Sequence, residues 1–292
     1  MISGSIFRLF TAGLFTLLFA FVPTAPTWAV ESGLKVAVVA FGLFSDQSVF
    51  ESEAKGAARI VADRFGGGPV VVRANNRHQS NATVDALATT LDSTAREIDG
   101  DNDILVLILT SHGSRAGLAV KAGPHQETLS PALLVAMLNH AGVRRRVVII
   151  SACYSGIFIR PLANADTLVI TAADADHSSF GCRDRAQWTY FGDAFFNTAM
   201  RRTANLRDAF VLARTLVRKH EQRNGFPSSN PQIAGGENIE PLLKGRLDHA
   251  AMDVPAEMGY ASATTPLQNW FLPPTSTSYF RTKSSLPSVP TR

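Results

Sequence analysis

The chain has two cysteines in 292 residues, its seven histidines are scattered, and neither Cys-x-x-Cys nor His-Glu-x-x-His occurs. Zinc chemistry has no ligand set to build on, so no metal and no cofactor are expected. Charge of one sign is also scarce: the net charge is +4. The basic run Arg144-Arg145-Arg146 lacks aromatic interleaving and any nucleic-acid motif. It reads as the solvent-side cap of the apolar strand that follows, and no nucleic-acid partner is expected. A Gly-x-Ser-x-Gly elbow is missing, which argues against Ser155 as a serine nucleophile. Gly66-Gly67-Gly68-Pro69 leads into a strand rather than a helix, so it is read as a turn and not a phosphate loop. No internal repeat is evident.

The two ends differ from the middle. Arg8, an apolar segment from Leu9 to Val22, two prolines and Thr27-Trp28-Ala29 have the order of a secretory signal peptide cut after Ala29. The apolar segment is short for a membrane span. An exported protein, periplasmic or extracellular, is expected, with no membrane association once residues 1–29 are removed. From 255 to 292 the chain is rich in Pro, Ser and Thr and poor in apolar residues, and is read as a disordered tail. Residues 30–254 are the length of one domain.

Within that domain strands and helices alternate, which predicts an α/β fold: a three-layer αβα sandwich around a mostly parallel sheet. Strands are expected at Lys35–Phe41, Val70–Arg73, Asp103–Thr110, Arg146–Ala152 and Asp166–Ala172. Helices are expected at Ser48–Phe65, Ala82–Ile98, Pro131–His140, shortly after Cys153, at Tyr190–Arg201 and at Asn205–Arg223. The runs Ile104–Leu109 and Val147–Ile150 are uniformly apolar, as strands covered on both faces must be. Each ends in a polar signature: Thr110-Ser111-His112-Gly113 after one, Ser151-Ala152-Cys153-Tyr154-Ser155-Gly156 after the other. Ligand chemistry gathers at the C-terminal ends of such strands. His112 supplies an acid or base, Cys153 a nucleophile favoured by the helix that starts after it, and the small residues supply approachable N–H groups. Taken singly, each has a plainer reading: a buried small hydrophobe for Cys153, a satisfied loop histidine for His112. Cys182 leaves open a single disulfide with Cys153, which would silence the thiol.

Asn75-Asn76-Arg77-His78-Gln79 follows the second strand and so reaches the same rim of the sheet. With His112-Gly113, Ala152-Cys153 and Tyr190-Phe191-Gly192-Asp193 it resembles the legumain family, the C13 cysteine peptidases of the caspase-like clan, motif by motif and in order. The resemblance implies a caspase-like fold and cleavage of polypeptides after asparagine and, less readily, aspartate. Cys153 would attack the carbonyl, His112 would serve as acid/base, Asn75 would orient it, and Gly113 and Cys153 would offer N–H groups to the oxyanion. Arg77, His78 and Asp193 would form the S1 pocket with Ser151, and Ser178 and Ser179 in the overhanging loop are assigned to substrate binding. A guanidinium and a carboxylate together suit a carboxamide, which has one acceptor and one donor end.

Two positions depart from the family's mammalian members, which carry acidic residues where this chain has Ser151 and Tyr154. With Asp193 as the acceptor charge left, the pocket is expected to repel a P1 aspartate less. A transamidase or ligase using the same acyl-enzyme, and a catalytically silent binding protein on the same fold, remain the alternatives. Asn230 and Asn269 are candidate self-cleavage points.

Overall fold

A computed structural model of the chain describes Met1, residues 33–203 and residues 205–244. Two compact units divide the chain, Met1–Ala251 and Met252–Arg292. The expected leader, Met1 apart, and the expected tail lie outside the described residues. Among the described residues no helix is long and apolar enough to cross a membrane.

The elements run β1 (Val36–Gly42), α1 (Ser48–Phe65), β2 (Gly67–Ala74), α2 (Val84–Ala95), β3 (Ile104–Thr110), β4 (Gly113–Ser114), β5 (Gly117–Ala122), β6 (His125–Leu129) and α3 (Pro131–Ala141). There follow β7 (Arg145–Ser151), a 3-10 turn Ser155–Phe158 continuing into α4 (Ile159–Leu162), and β8 (Thr167–Thr171). The chain then forms α5 (Tyr190–Gly192), a π-helical stretch Asp193–Ala199, α6 (Met200–Arg202), α7 (Leu206–Asn224) and β9 (Gln232–Ala234). The main sheet has the order β2-β1-β3-β7-β8-β9, parallel except for the antiparallel edge strand β9.

Alternation along the strands builds two cores. Val36, Val38 and Ala40 of β1, Ile104, Val106 and Ile108 of β3, and Val147 and Ile149 of β7 face α1, the π-helical stretch and α7. Their neighbours Ala37, Val39, Phe41, Leu105, Leu107, Leu109, Val148 and Ile150 face α2 and α3. Side chains alternate across a strand, so both faces of these apolar runs must be covered, and both are. The α/β sandwich expected from the sequence is the observed architecture.

The expected helices begin where capping chemistry starts them. The Ser130 hydroxyl accepts from the Leu133 N–H (3.2 Å) with Pro131 in the first turn, and Asn205 accepts from the N–H groups of Arg207 and Asp208. The Gly66–Pro69 turn is partly strand: β2 already starts at Gly67, where φ is 92°. A side chain on Gly68 would lie 2.8 Å from the Val36 and Ala37 backbone, so the glycine lets β2 close onto β1.

The sequence reading had no β4, β5, β6 or β9. The three short strands β4, β5 and β6 form a separate antiparallel sheet beyond β3. That sheet props the loop after β1: the Ser45 N–H donates to the Lys121 carbonyl and the Lys121 N–H to the Leu43 carbonyl.

Candidate active site

Strand order turns over between β1 and β3, since β2 lies on one side of β1 and every later strand on the other. A crevice opens where neighbouring connections leave in opposite directions. The loop after β1 and the loop after β3 meet there, bringing Phe44, Gln47 and Phe50 to His112. The imidazole is half-buried between the rings of Phe44 (4.7 Å between centroids) and Phe50 (5.0 Å), both edge-on. Its Nε2 lies 2.6 Å from the Gln47 Oε1. An amide oxygen only accepts, so Nε2 carries the proton and Nδ1 is the free base. Burial holds the imidazole below the ordinary histidine range, against a smaller opposing pull from Asp46.

Gln47 is the residue before α1, and no side-chain cap bond forms there because its carboxamide is committed to His112. Asp184 supplies the cap from a distance, accepting from both the Ser48 N–H (3.1 Å) and its hydroxyl (3.0 Å).

Asn75 does not orient His112. Its Nδ2 donates to the Leu43 carbonyl (3.0 Å) and the Ala82 carbonyl (2.9 Å), and its Oδ1 accepts from the Ala82 N–H (2.8 Å). Both donors are used within the loops, and the side chain is 1% exposed. Asn75 therefore closes the loop after β2 onto the loop after β1, and Gln47, which the motif reading missed, takes the histidine.

The second half of the site leaves the sheet from the adjacent strand. Thr110 and Ser151 are register partners at the ends of β3 and β7. Two residues past Ser151 and three past Thr110, the two loops touch: a Cβ on Gly113 would sit 2.1 Å from the Cys153 carbonyl oxygen. Only glycine permits that approach. The Cys153 N–H meets no acceptor among the described residues, which leaves it available to an oxyanion. Tyr154 adopts φ 54°, a left-handed conformation costing about 1–2 kcal/mol in a residue with a side chain. Its N–H bonds to the His177 carbonyl (2.8 Å), and a Cβ on Gly156 would lie 2.4–2.6 Å from Asp174 and Ala175. The loop after β8 thus holds the turn that follows Cys153 in place.

The same loop holds the sulfur. Cys153 Sγ donates to the Ser179 carbonyl and accepts from the Ser179 N–H, both at 3.3 Å, with the Ser179 hydroxyl at 3.9 Å. Ser178 is half-buried beside it. Both cysteines are free. Burial, with Cys153 and Glu53 adding to it, pushes the Cys182 thiol up to about 12, so it stays protonated and unreactive.

The expected S1 residues divide. Arg77 and His78 line a cleft of about 310 Å³ with Asp46, Ser48, Glu51, Asn76 and Asp184, and the Arg77 guanidinium is 3.6 Å from Asp184. Asp193 is exposed, accepts from the Asn197 amide (2.8 Å) and lines a different cleft, of about 540 Å³, with Trp188, Lys219, His220 and Arg223. Helical geometry is the reason. Gly192 faces inward, with its missing Cβ only 2.0 Å from Glu53 Oε2, so Asp193, about 100° further round, faces out. Ser151 is fully buried and close to Thr189, Oγ to Oγ1 3.1 Å. Among the described residues no cluster of His, Cys, Asp or Glu can hold a metal ion.

A further residue at this rim was not foreseen. Glu53 of α1 is wholly buried, and it accepts from the Thr110 hydroxyl (2.9 Å) and the Thr189 N–H (2.8 Å). Its signal is a lone carboxylate on the apolar stripe of α1, four residues from both Val49 and Ala57.

Comparison with curated proteins finds no match. Among solved structures, caspase-1 from Spodoptera frugiperda aligns at 14% identity over 69% of this chain and 85% of that one, with a TM-score of 0.47. A structure described as pro-sf-caspase-1 aligns at 14% identity over 70% of this chain and 92% of that one, with a TM-score of 0.49. The model of the peptidase C13 family matches residues 82–237, just over half the sequence and inclusive of the strand ends that carry His112 and Cys153. The chain belongs to the peptidase C13 family and is a cysteine-type peptidase, a hydrolase.

Proposed function

We propose that the protein is an endopeptidase that cleaves polypeptides after asparagine. The observation that carries this reading is the pairing of Thr110 with Ser151, which places the His112 and Cys153 loops side by side. Gly113 lies against the Cys153 carbonyl there.

A substrate carbonyl held over the site places its oxygen at the free Cys153 N–H. Cys153 loses its proton to the Nδ1 face of His112, and the sulfur attacks the carbonyl carbon to give a tetrahedral oxyanion. Collapse expels the amine, which takes its proton from His112. Water, activated by the now neutral imidazole, then releases the acid and restores the thiol. Gln47 keeps Nε2 protonated through the cycle, so Nδ1 alone exchanges the proton.

The exposed Arg77 guanidinium supplies a donor for the side-chain oxygen of a P1 asparagine, exchanging Asp184 for substrate. Asp193 has no part in this reading of the pocket. An apolar P1 residue has nothing to offer in exchange for Asp184 and gains no polar contact from that guanidinium. Asn230 is a poor self-cleavage site: its amide is bound to Asp174 (2.8 Å) and Pro231 follows it. Export through a cleaved leader ending at Ala29 belongs to the same proposal and is supported by the Arg8-to-Ala29 pattern.

Peptides differing only at P1 test the reading. Turnover confined to Asn, with a weaker reaction at Asp and loss in Cys153→Ala, is expected; equal turnover at Ala or Lys would overturn it. N-terminal sequencing of the protein from its native host should begin at Val30, and a chain starting at Met1 would refute the leader.

A further inference from the structure

The three residues that follow Cys153 are each bonded to the loop after β8. The Tyr154 N–H donates to the His177 carbonyl (2.8 Å) and the Gly156 N–H to the Asp174 carbonyl (3.3 Å). Between them the Ser155 hydroxyl donates to the Ala173 carbonyl (3.3 Å) and accepts from the Ala173 N–H (3.1 Å). A left-handed residue such as Tyr154 persists where its surroundings over-determine it, and these bonds do so. They need the backbones of Ala173, Asp174 and His177 gathered along one side of the turn. An extended chain would carry His177 about 10 Å beyond Asp174.

One side chain folds the loop back. Asp174 Oδ1 accepts from the N–H groups of Asp176 and His177 (both 2.9 Å) and from the His177 ring at Nδ1 (2.7 Å). Its Oδ2 accepts from the Asn230 amide (2.8 Å), and the Asp174 N–H donates to the Ser229 carbonyl (3.0 Å). Ser229 is itself fixed, because its N–H donates to the buried carboxylate of Glu221 on α7 (3.0 Å). Burial would raise the Asp174 carboxyl, but the bonds from Asn230, Asp176 and His177 outweigh it and hold the group below the ordinary aspartate range. At neutral pH both oxygens therefore accept.

We propose that Asp174 is a positioning residue of the peptidase site: its carboxylate folds the loop after β8 onto the turn behind Cys153, fastens that loop to the segment before β9, and so sets where the sulfur stands. This rests on the reading of Cys153 as the nucleophile. The influence of Asp174 reaches the sulfur by two routes. One passes through His177 to Tyr154 and fixes the direction in which the chain leaves Cys153. The other runs along the loop to Ser179, whose N–H and carbonyl both meet Sγ at 3.3 Å. Of the three left-handed residues other than glycine among those described, Tyr154 and Asn230 stand at the two ends of this clamp. Through Ser229 and Glu221 the sulfur is referred to α7 as well as to its own strand.

The test is Asp174→Ala in the full chain, which removes the side-chain bonds and leaves the backbone ones. On a P1-asparagine peptide, well below the variant's melting temperature, kcat should fall at least ~10-fold while KM moves by less than about three-fold, since the reacting atoms are displaced and the Arg77 cleft is untouched. Asp174→Asn keeps an acceptor at Oδ1 and should recover kcat to within about three-fold of wild type. A folded Asp174→Ala with wild-type kcat, or an Asp174→Asn as slow as Asp174→Ala, would overturn the proposal. If Asp174→Ala does not fold, Asn230→Gly replaces it: glycine suits φ 54°, so the fold is kept and only the amide is lost. Its kcat should fall at least ~3-fold, and an unchanged kcat refutes the clamp. Cys153→Ala is assayed alongside; if it still cleaves, the nucleophile reading has failed and the proposal falls with it. If the wild type does not cleave after asparagine, that reading has failed separately, and Asp174 is judged on alkylation of Cys153 by iodoacetamide, followed by the mass of the peptide that contains it. A several-fold difference in rate between wild type and variant then supports positioning, and equal rates refute it.

Discussion

The strand ends that carry His112 and Cys153 and the Arg77 cleft are built in opposite ways. At the strand ends Thr110, Ser111, Ser151 and Ser155 are fully buried, and the geometry is fixed by backbone contacts that tolerate no side chain at Gly113 or Gly156. In the cleft Arg77 is 73% exposed and meets Asp184 across 3.6 Å of partly solvated space. Chemistry needs atoms held within fractions of an ångström, and the sheet supplies that. In the proposed reading, recognition needs a charge that can leave one partner for another, and an exposed, weakly held ion pair supplies that.

Substitutions can break this contrast. Cys153→Ala should abolish hydrolysis, by more than about 10³-fold, with the melting temperature little changed; residual turnover near wild type would move the nucleophile elsewhere. Gly113→Ala should come next. Its Cβ cannot coexist with the Cys153 carbonyl, so the loops must part, at about 1–3 kcal/mol of stability and at least ~10²-fold in kcat. Calorimetry with single-turnover kinetics would separate the two effects.

Gln47→Ala is smaller, about 10- to 100-fold in kcat with KM steady, because His112 keeps its aromatic walls and loses only the group that fixes its tautomer. In the wild type the folded histidine binds its proton less readily than the unfolded one. Stability should therefore decline as pH falls below the ordinary histidine range, and kcat/KM should hold its plateau to a pH below that range. A plateau ending above it would contradict the buried imidazole.

Arg77→Ala should raise KM for P1 asparagine roughly 10-fold while leaving kcat and the fold nearly intact. The smallest effect belongs to Asp184→Asn. The Ser48 N–H, then its hydroxyl, hold that carboxyl below the usual range, so its support for α1 is present at neutral pH and lost on acidification through the folded value. Less than about two-fold in activity is expected, together with a flatter stability profile in acid. A larger loss than in Arg77→Ala would mean that the rim is built as rigidly as the sheet.

Much of this architecture was legible in the sequence because the strands are buried on both faces and read as unbroken apolar runs. The helix Ser48–Phe65 was expected and observed with the same ends. The small sheet was not legible: His125–Glu127 are exposed and polar, and only pairing with β5 makes them a strand. Cys153, His112 and Gly113 stand at strand ends, where short motifs show them. Gln47 and Glu53 act across 65 and 57 residues of separation, on His112 and Thr110 respectively. No local pattern encodes such a reach, and the one trace of Glu53 is its place among apolar neighbours on α1. Asp193 was misplaced for a related reason: its motif fixes an order of residues, while the carboxylate under Gly192 decides which of them turns inward.

The pairing of Thr110 with Ser151 has a mechanical consequence. Two loops that leave a sheet from facing residues ride on the same hinge, so a bend or added twist of the strands displaces both in the same direction. Their separation is a difference between two nearly equal movements, and most of the sheet's breathing cancels from it. His112 and Cys153, held on different loops, thereby stay in registry as the sheet flexes.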